Sequence, residues 1–199
     1  MPPKTPATLP VAVLFDMDGT LTEPLLDFAR IRAEMGIGRG SILAALAEMS
    51  GPARLAAEEI LLRHEDHAAA RSTLNSGCRE LLETLSARGI LVACITLNSR
   101  ESVRTVFERH RLPIEVIITR EDAAPKPSPE PLCVACRKLG VPEADTWMIG
   151  DGQYDIEAGT AAGMRTIWLS HGKQRAFQAV PWREVRDLWE LERMFKGIE

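Results

Sequence analysis

Short apolar runs alternate with helical patterns along most of the chain. Five runs are nearly continuous in hydrophobic residues, which is typical of strands covered on both faces of a sheet. The predicted strands are 11–15, Leu91–Ile95, Val116–Ile118, Thr146–Gly150 and Arg165–Leu169. Because strands that alternate with helices form parallel sheets, the pattern predicts an α/β protein with a Rossmann-like, doubly wound parallel sheet.

Helical patterns lie between these strands. Serine is a favoured N-cap residue, and glycine is favoured just past the last turn because it adopts the left-handed conformation there. On these signals the helices are predicted at 76–88, 100–111, 129–140 and 154–162. Apolar positions at helical spacing, Val185 among them, predict one more helix over 181–195.

One interval is far longer than a crossover helix requires. About 75 residues separate the first two predicted strands, whereas a crossover needs a dozen or somewhat more. Apolar positions such as Ile42 and Leu46 recur there at helical spacing and predict helices over 41–49 and 52–74. The predicted parts are a core of 1–21 and 76–199 and a helical insertion, 22–75, over the carboxyl edge of the sheet.

Composition narrows the class of protein. The 199 residues include 24 Lys and Arg against 28 Asp and Glu, a net charge of −4 that argues against a basic nucleic-acid surface. No apolar run reaches the roughly 18 residues that span a bilayer, and the first ten residues lack the apolar stretch of a secretion signal. We therefore expect a cytoplasmic globular protein without nucleic-acid or membrane partners, and its oligomeric state stays open.

Two clusters resemble metal sites but are interpreted otherwise. Cys133 and Cys136 form a C-x-x-C, yet the other two cysteines form no second short pair, so helix packing is favoured over a zinc site. His64 and His67 stand in H-E-D-H, which is one residue shorter than the H-E-x-x-H metal motif. We interpret this second cluster as exposed polar residues on a helix.

Polar residues that directly follow the predicted strands are the candidates for chemistry. Open α/β sheets bind ligands outside the carboxyl ends of their strands. D-M-D-G-T follows the first strand, a threonine follows the second, and G-D-G-Q-Y-D closes the fourth, while a lysine stands in a proline-rich loop before the third helix of the core. The residues expected to converge on one rim are Asp16, Asp18, Thr96, Lys126, Asp151 and Asp155.

These side chains suit phosphoryl transfer. Residues two apart on an extended chain point to the same side, so Asp16 and Asp18 can address one reacting centre. Asp16 is expected to attack phosphorus and form an acyl phosphate, while Asp18 protonates the leaving oxygen and then deprotonates water. Asp16 and Asp151 offer the hard oxygen ligands that Mg²⁺ prefers. Lys126 and Thr96 would hold the transferring oxygens.

The ordered motifs F-D-M-D-G-T-L-T, I-T-L-N, K-P-S-P-E-P and I-G-D-G-Q-Y-D resemble those of the haloacid dehalogenase superfamily across essentially the whole chain. The similarity is greatest to phosphoglycolate-phosphatase-like and β-phosphoglucomutase-like members, which carry a helical cap after the first motif. The resemblance implies the roles given above for five of the rim residues, Asp16, Asp18, Thr96, Lys126 and Asp151. It also implies that the backbone carbonyl of Asp18 ligates Mg²⁺, that Asp155 ligates the metal or supports a ligand, and that Thr20 braces the first loop.

A helical cap of this type is implied to close over the rim and to select small phosphorylated metabolites. Closure would hinge near 22–24 and 72–77, where glycine and polar residues cluster. Asn98 stands one position later than the corresponding residue of many relatives. The candidate substrate contacts are Gly19, Thr20, Glu23, Asp27, Arg30, Arg32 and Asn98.

The acid at position 18 favours phosphate ester chemistry, because dehalogenase-like members of the superfamily release a halide that needs no proton and lack this acid. A Mg²⁺-dependent phosphatase is the leading hypothesis. The alternative is a phosphosugar mutase, in which a substrate hydroxyl accepts the phosphoryl group. A signalling receiver is a remote alternative, since its phosphoacceptor lies on the third strand and V-I-I-T-R has no Asp there. The natural substrate stays open.

Overall fold

The computed structural model describes residues 9–197. Within them, six strands form one parallel sheet in the order β3-β2-β1-β4-β5-β6. The strands are β1 Ala12–Phe15, β2 Leu91–Ile95, β3 Val116–Ile118, β4 Thr146–Gly150, β5 Arg165–Leu169 and β6 Arg183–Val185. The doubly wound α/β class expected from the sequence is confirmed.

Eight α-helices accompany the sheet in the described part of the chain. They are α1 Phe28–Met35, α2 Ile42–Glu48, α3 Gly51–Arg71, α4 Cys78–Ala87, α5 Arg100–His110, α6 Glu130–Leu139, α7 Gln153–Ala161 and α8 Leu188–Lys196. None of these helices is long and apolar enough to cross a membrane.

The sheet is buried on both faces, which explains the near-continuous apolar strands. Val13 and Phe15 of β1 pack in a cluster that includes residues of α4, α5 and α8. Leu14, between them, belongs to a second cluster with residues of α6 and α7. Successive side chains of a strand point to opposite faces, so helices cover both sides and leave the carboxyl edge for a site.

The insertion has its own apolar cluster. Ile31 of α1, two residues of α2 and two of α3 are buried together there. The sequence pattern predicted α2 and α3 within a few residues of their ends but missed α1, because Ile31 is the only buried residue of that helix. The start of α1 is nevertheless set by Asp27, whose carboxylate accepts a 3.0 Å hydrogen bond from the Arg30 amide.

Helix α3 is fastened to α5 at its C-terminal end. Ser72, which follows α3, is buried, and its carbonyl oxygen accepts hydrogen bonds from Arg109 Nε at 3.1 Å and from His110 Nε2 at 3.1 Å. Ser72 Oγ donates in turn to the Ala69 carbonyl. The predicted hinge at 72–77 therefore begins at a serine that is bonded to the core.

The helix predicted over 181–195 is wrong in its first part. Val185 lies in β6, where its carbonyl oxygen accepts a 2.8 Å hydrogen bond from the Ser170 amide. Helix α8 begins only at Leu188, after Asp187 has capped it by accepting from the Glu190 amide at 2.8 Å. A strand of three residues is too short to show a period of two. Val185 also fits the helical spacing of the residues that follow, so the pattern predicted one continuous helix.

Candidate active site

A cavity of about 550 Å³ lies at the carboxyl edge of the sheet, beneath the insertion. Its volume falls in the range of small-molecule sites. All six residues that the sequence placed on one rim line this cavity: Asp16, Asp18, Thr96, Lys126, Asp151 and Asp155. They meet because β1, β2 and β4 are parallel neighbours whose carboxyl ends share one edge.

Lys126 is the buried centre of the site. Its Nζ donates to Asp16 Oδ1 at 2.7 Å, to Asp155 Oδ1 at 2.6 Å and to the carbonyl of Ile95 at 2.8 Å. Burial alone would lower the pKa of Lys126, but the two carboxylates outweigh it and raise the pKa above its ordinary value. The side chain is therefore a permanent cation whose position is set by the last residue of β2.

Three carboxylates lie close enough together to share one cation. Asp16, Asp151 and Asp155 each offer an oxygen, and these oxygens lie within 4.8 Å of one another. Burial, with the neighbouring Asp155 adding to it, raises the pKa of Asp151 to about 6, and burial raises that of Asp16 well above its ordinary value. Hard carboxylate donors crowded in this way fit a divalent cation such as Mg²⁺.

Asp18 differs from these three acids. Its carboxyl is not part of the three-acid cluster, and burial raises its pKa to about 7. A carboxyl with such a pKa is protonated in a large fraction of molecules at neutral pH. The environment therefore suits the proton donor that the sequence suggested.

Two glycines let the acids approach the backbone. Gly19 has φ +88°, and a Cβ on it would lie 2.5 Å from Asp151 Oδ2. A Cβ on Gly150 would lie 2.3 Å from Asp155 Cβ. Gly19, a predicted substrate contact, does not line the cavity and instead makes room for a cluster carboxylate.

The first loop is braced by a different threonine from the one expected. Thr22 Oγ1 donates to the carbonyl of Met17 at 3.1 Å, and the Gly19 amide donates to the carbonyl of Thr22 at 2.9 Å. Thr20 is fully buried, but its hydroxyl makes no hydrogen bond within the described residues. It also does not line the cavity, so the two roles predicted for its side chain find no contact here.

Several predicted substrate contacts lie outside the cavity. Glu23 accepts a 2.7 Å hydrogen bond from Thr73 Oγ1, Asp27 caps α1, and Arg30 is 70% exposed and paired with Glu34 at 2.9 Å. These side chains are committed to local partners, so the predictions for Glu23, Asp27 and Arg30 are not supported. The remaining two candidates, Arg32 and Asn98, do line the cavity.

The cavity also contains residues that the sequence analysis missed. Glu65 of α3 is only 3% exposed, although its neighbour His67 is exposed as expected for the H-E-D-H cluster. Arg175 reaches the cavity from the loop after β5. In the same loop, His171 Nε2 lies 2.7 Å from the Gly19 carbonyl oxygen. His171 is the second residue after β5, so a search of the first few residues after each strand would also have found it.

Among residues 9–197, the three-acid group is the only set of three or more close His, Cys, Asp or Glu ligands, and the H-E-D-H residues form no such set. His64 Nε2 instead lies 3.0 Å from Glu34 Oε2. All four cysteines are free thiols, and Cys136 packs on the sheet in the apolar cluster of α6 and α7.

The site lies at the carboxyl edge of a doubly wound sheet, with an insertion after the first strand and a buried lysine between aspartates. This arrangement is that of a hydrolase with an α/β fold and an aspartate-rich site. The chain belongs to the haloacid dehalogenase-like hydrolase family, whose model matches residues 29–169. It is 30% identical to the N-acetylmuramic acid 6-phosphate phosphatase of Pseudomonas aeruginosa, over 81% of this chain and 82% of that protein. It is 29% identical to the phosphoglycolate phosphatase of Rhodospirillum rubrum, over 84% of this chain and 82% of that protein.

Solved structures share the fold. A hydrolase from Pseudomonas syringae superposes with a TM-score of 0.80 at 22% identity, over 94% of this chain and 98% of that one. CbbY from Rhodobacter sphaeroides, solved in complex with phosphate, superposes with a TM-score of 0.71 at 23% identity, over 92% of this chain and 96% of that one. The resemblance inferred from the four motifs is confirmed.

Proposed function

We propose that the chain is a Mg²⁺-dependent phosphatase that hydrolyses a small phosphorylated metabolite through an aspartyl-phosphate intermediate. The observation that carries the proposal is the placement of Lys126 Nζ between Asp16 and Asp155, with Asp151 close by. The single positive charge of Lys126 does not balance three carboxylates, so a divalent cation can bind among them. Both cations would attract the dianionic ester.

In the first half-reaction, Lys126 binds Oδ1 of Asp16, so the attack is assigned to Oδ2. A bond forms from Oδ2 to phosphorus, the bond from phosphorus to the ester oxygen breaks, and the proton of Asp18 passes to that oxygen. In the second, Asp18 takes a proton from water, a bond forms from the water oxygen to phosphorus, and the bond from phosphorus to Asp16 Oδ2 breaks. Inorganic phosphate leaves, and Asp16 is again a free carboxylate while Asp18 is again protonated. Mg²⁺ held by the acids would offset the charge that accumulates on the transferring group.

Thr96 has a supporting role in the same reaction. It is buried at the end of β2, lines the cavity, and accepts a 3.2 Å hydrogen bond from the Asn98 amide through Oγ1. Its hydroxyl hydrogen is thereby directed away from that amide and can be donated to a phosphoryl oxygen. Lys126 and Thr96 together would stabilise the charge of the transition state.

The insertion, residues 22–75, would act as the cap that selects substrates. It lines the cavity with apolar residues, among them Leu26, Phe28 and Leu43, and adds one basic residue, Arg32. This lining and the volume of about 550 Å³ suit a phosphorylated metabolite rather than a folded phosphoprotein. The free cysteines support action in a reducing compartment, the cytoplasm.

The test is a Mg²⁺-dependent assay of phosphate release against a panel of small phosphoesters. We expect Asp16→Asn and Asp18→Asn each to lose activity by about 10³-fold or more while keeping the wild-type circular dichroism spectrum. Asp145→Asn is the matched control, because this exposed acid precedes β4 at the opposite edge of the sheet.

Two outcomes would overturn the proposal: substantial phosphate release by Asp16→Asn, or equal activity in EDTA and in Mg²⁺. Consumption of a phosphosugar without phosphate release would instead assign the mutase reaction. Trapping of ³²P on the wild type during turnover, and its absence on Asp16→Asn, tests the covalent intermediate separately.

A further inference from the structure

A buried acid of the insertion reaches across to the core. Glu65 stands in the middle of α3 and is 3% exposed, although glutamate is rarely buried without a partner. Its Oε1 accepts a hydrogen bond from Arg120 Nη1, and its Oε2 accepts one from the Ser99 amide at 3.2 Å. Both partners belong to the core, in the loops that follow β3 and β2.

The same arginine holds the other end of the loop after β2. Arg120 Nη1 also donates to the carbonyl of Leu97 at 3.2 Å. Glu65 and Arg120 thus hold the Ser99 amide and the Leu97 carbonyl, and Asn98 lies between these two contacts. The Asn98 amide donates to Thr96 Oγ1, so the segment that is held connects directly to the proposed phosphate-binding hydroxyl.

Stability alone does not account for this ion pair. The desolvation of two buried charges is expensive, and a well-packed apolar pair of similar volume is often as stable or more stable. Burial raises the pKa of Glu65 even though Arg120 opposes the shift, which is the sign of a costly environment. Glu65 lines the cavity, as do residues 96–98 of the loop that the pair holds, so a positional role for that loop would offset the cost.

We propose that Glu65 and Arg120 are positioning residues: with the insertion docked, they fix the loop of residues 96–98 in the geometry that receives the phosphoryl group. The inference rests on the proposed function and deepens it, because the insertion then completes the phosphate site as well as covering it. A displacement of about 1 Å in such a loop can lower the rate about 100-fold.

A neighbouring contact separates positioning from docking. Asp66, the next residue of α3, accepts a 3.2 Å hydrogen bond from Ser102 Oγ and also joins α3 to α5. Asp66 does not line the cavity and touches no residue of the 96–98 loop through that bond. Asp66→Asn therefore weakens the attachment of the insertion without releasing the loop.

The experiment compares Glu65→Met, Arg120→Met, the double variant and Asp66→Asn with the wild type. Thermal midpoints, and kcat and KM for p-nitrophenyl phosphate with Mg²⁺, are measured on each protein. Each single Met variant leaves one buried charge unpaired and should lower the midpoint by about 10 °C. The double variant should recover most of that loss, because neither charge remains.

Activity should not recover with stability. We expect kcat/KM of the double variant to stay about 100-fold below the wild type, chiefly through kcat, while Asp66→Asn keeps it within about twofold. Wild-type kcat/KM in the double variant, or activity that rises in parallel with the thermal midpoint, would overturn the inference and leave the proposed function intact. An inactive wild type would instead overturn the proposed function, and the inference with it.

Discussion

His171 Nε2 donates a hydrogen bond to the Gly19 carbonyl oxygen, 2.7 Å away. A carbonyl oxygen only accepts, so this contact fixes which ring nitrogen carries hydrogen. His171 has φ +50°, in the left-handed region that non-glycine residues rarely adopt. The loop after β5 thus holds a strained residue whose side chain ties down the loop that carries Asp16 and Asp18.

Replacement of this histidine should loosen the first loop. Asn tolerates the left-handed region, so His171→Asn keeps the backbone, but its shorter side chain does not reach the Gly19 carbonyl. We expect kcat/KM to fall about tenfold with little change in the thermal midpoint. Steady-state kinetics beside His67→Asn, the same change at an exposed position, measures the effect. Equal kinetics for the two variants would contradict a role for the contact.

Gly19→Ala should disturb the three-acid cluster of Asp16, Asp151 and Asp155 more than the fold. The new Cβ would lie 2.5 Å from Asp151 Oδ2, in addition to the strain of φ +88°. Gly163→Ala is the matched control, since φ is +74° there and no atom lies within 4 Å. Both variants should lose about 1–2 kcal/mol of unfolding free energy to strain.

Only Gly19→Ala should also need more Mg²⁺ for half-maximal activity and lose about 100-fold in kcat/KM. Mg²⁺ titrations of activity and urea unfolding separate the two effects. If Gly163→Ala lost as much activity as Gly19→Ala, strain alone would explain both results.

Asp151→Asn should stabilise the metal-free protein in a pH-dependent way. The pKa of Asp151 is raised from its ordinary value of 3.8 to about 6, first by burial and then by Asp155. Between pH 3.8 and about pH 6, the native state binds more protons than the unfolded chain. The contribution of the Asp151 carboxyl to the unfolding free energy therefore falls as the pH rises. The variant in EDTA should match the wild type near pH 4 and exceed it by about 3 kcal/mol at pH 8, because the shift is about two pKa units and each unit corresponds to about 1.4 kcal/mol.

Urea unfolding in EDTA at a series of pH values checks this prediction. Excess Mg²⁺ should reverse the order at pH 8, because an ion bound only to the native state stabilises the wild type by mass action. Asp145→Asn, an exposed acid outside the cluster, controls for the change in net charge. A difference between wild type and Asp151→Asn that is constant with pH would refute the assignment.

Arg30 and Arg32, two residues apart on α1, should behave differently. Arg32 lines the cavity, whereas Arg30 pairs with Glu34 and is 70% exposed. Arg32→Ala should raise KM for the best phosphoester of the panel about five- to tenfold, because one positive charge is removed from the lining of the cavity. Arg30→Ala should leave KM unchanged and alter stability by less than about 1 kcal/mol. A larger rise in KM for Arg30→Ala would place the substrate elsewhere.

The residues at the carboxyl edge of the sheet could be predicted from the sequence, because their position depends almost entirely on the strand that precedes them. A buried parallel strand shows itself as an apolar run, and the residue after the run lies at the carboxyl edge whatever the rest of the fold does. Asp16, Thr96 and Asp151 were found in this way, and the cavity contains all three.

The side chains of the insertion were harder to predict from the sequence, because which of them face the cavity depends on tertiary packing. Adjacent helix residues are rotated by about 100°, so Arg30 and Arg32 face different ways, and the sequence did not indicate which one faces the cavity. The sequence predicts an exposed Glu65, because its burial depends on the packing of α3 against α5. In β6, three residues are too few to compete with a neighbouring helical pattern.

Helix α3 contacts both ends of α5, and this has a consequence for protein engineering. Glu65 contacts Ser99, the N-cap of α5, and Asp66 contacts Ser102 in its first turn. Ser72 contacts the last residues of α5, Arg109 and His110. A chimera that received a relative's insertion would lose these anchors unless the matching surface of α5 were transplanted too. The insertion is therefore not a detachable module, and recombination would have to move α3 and α5 as a single unit.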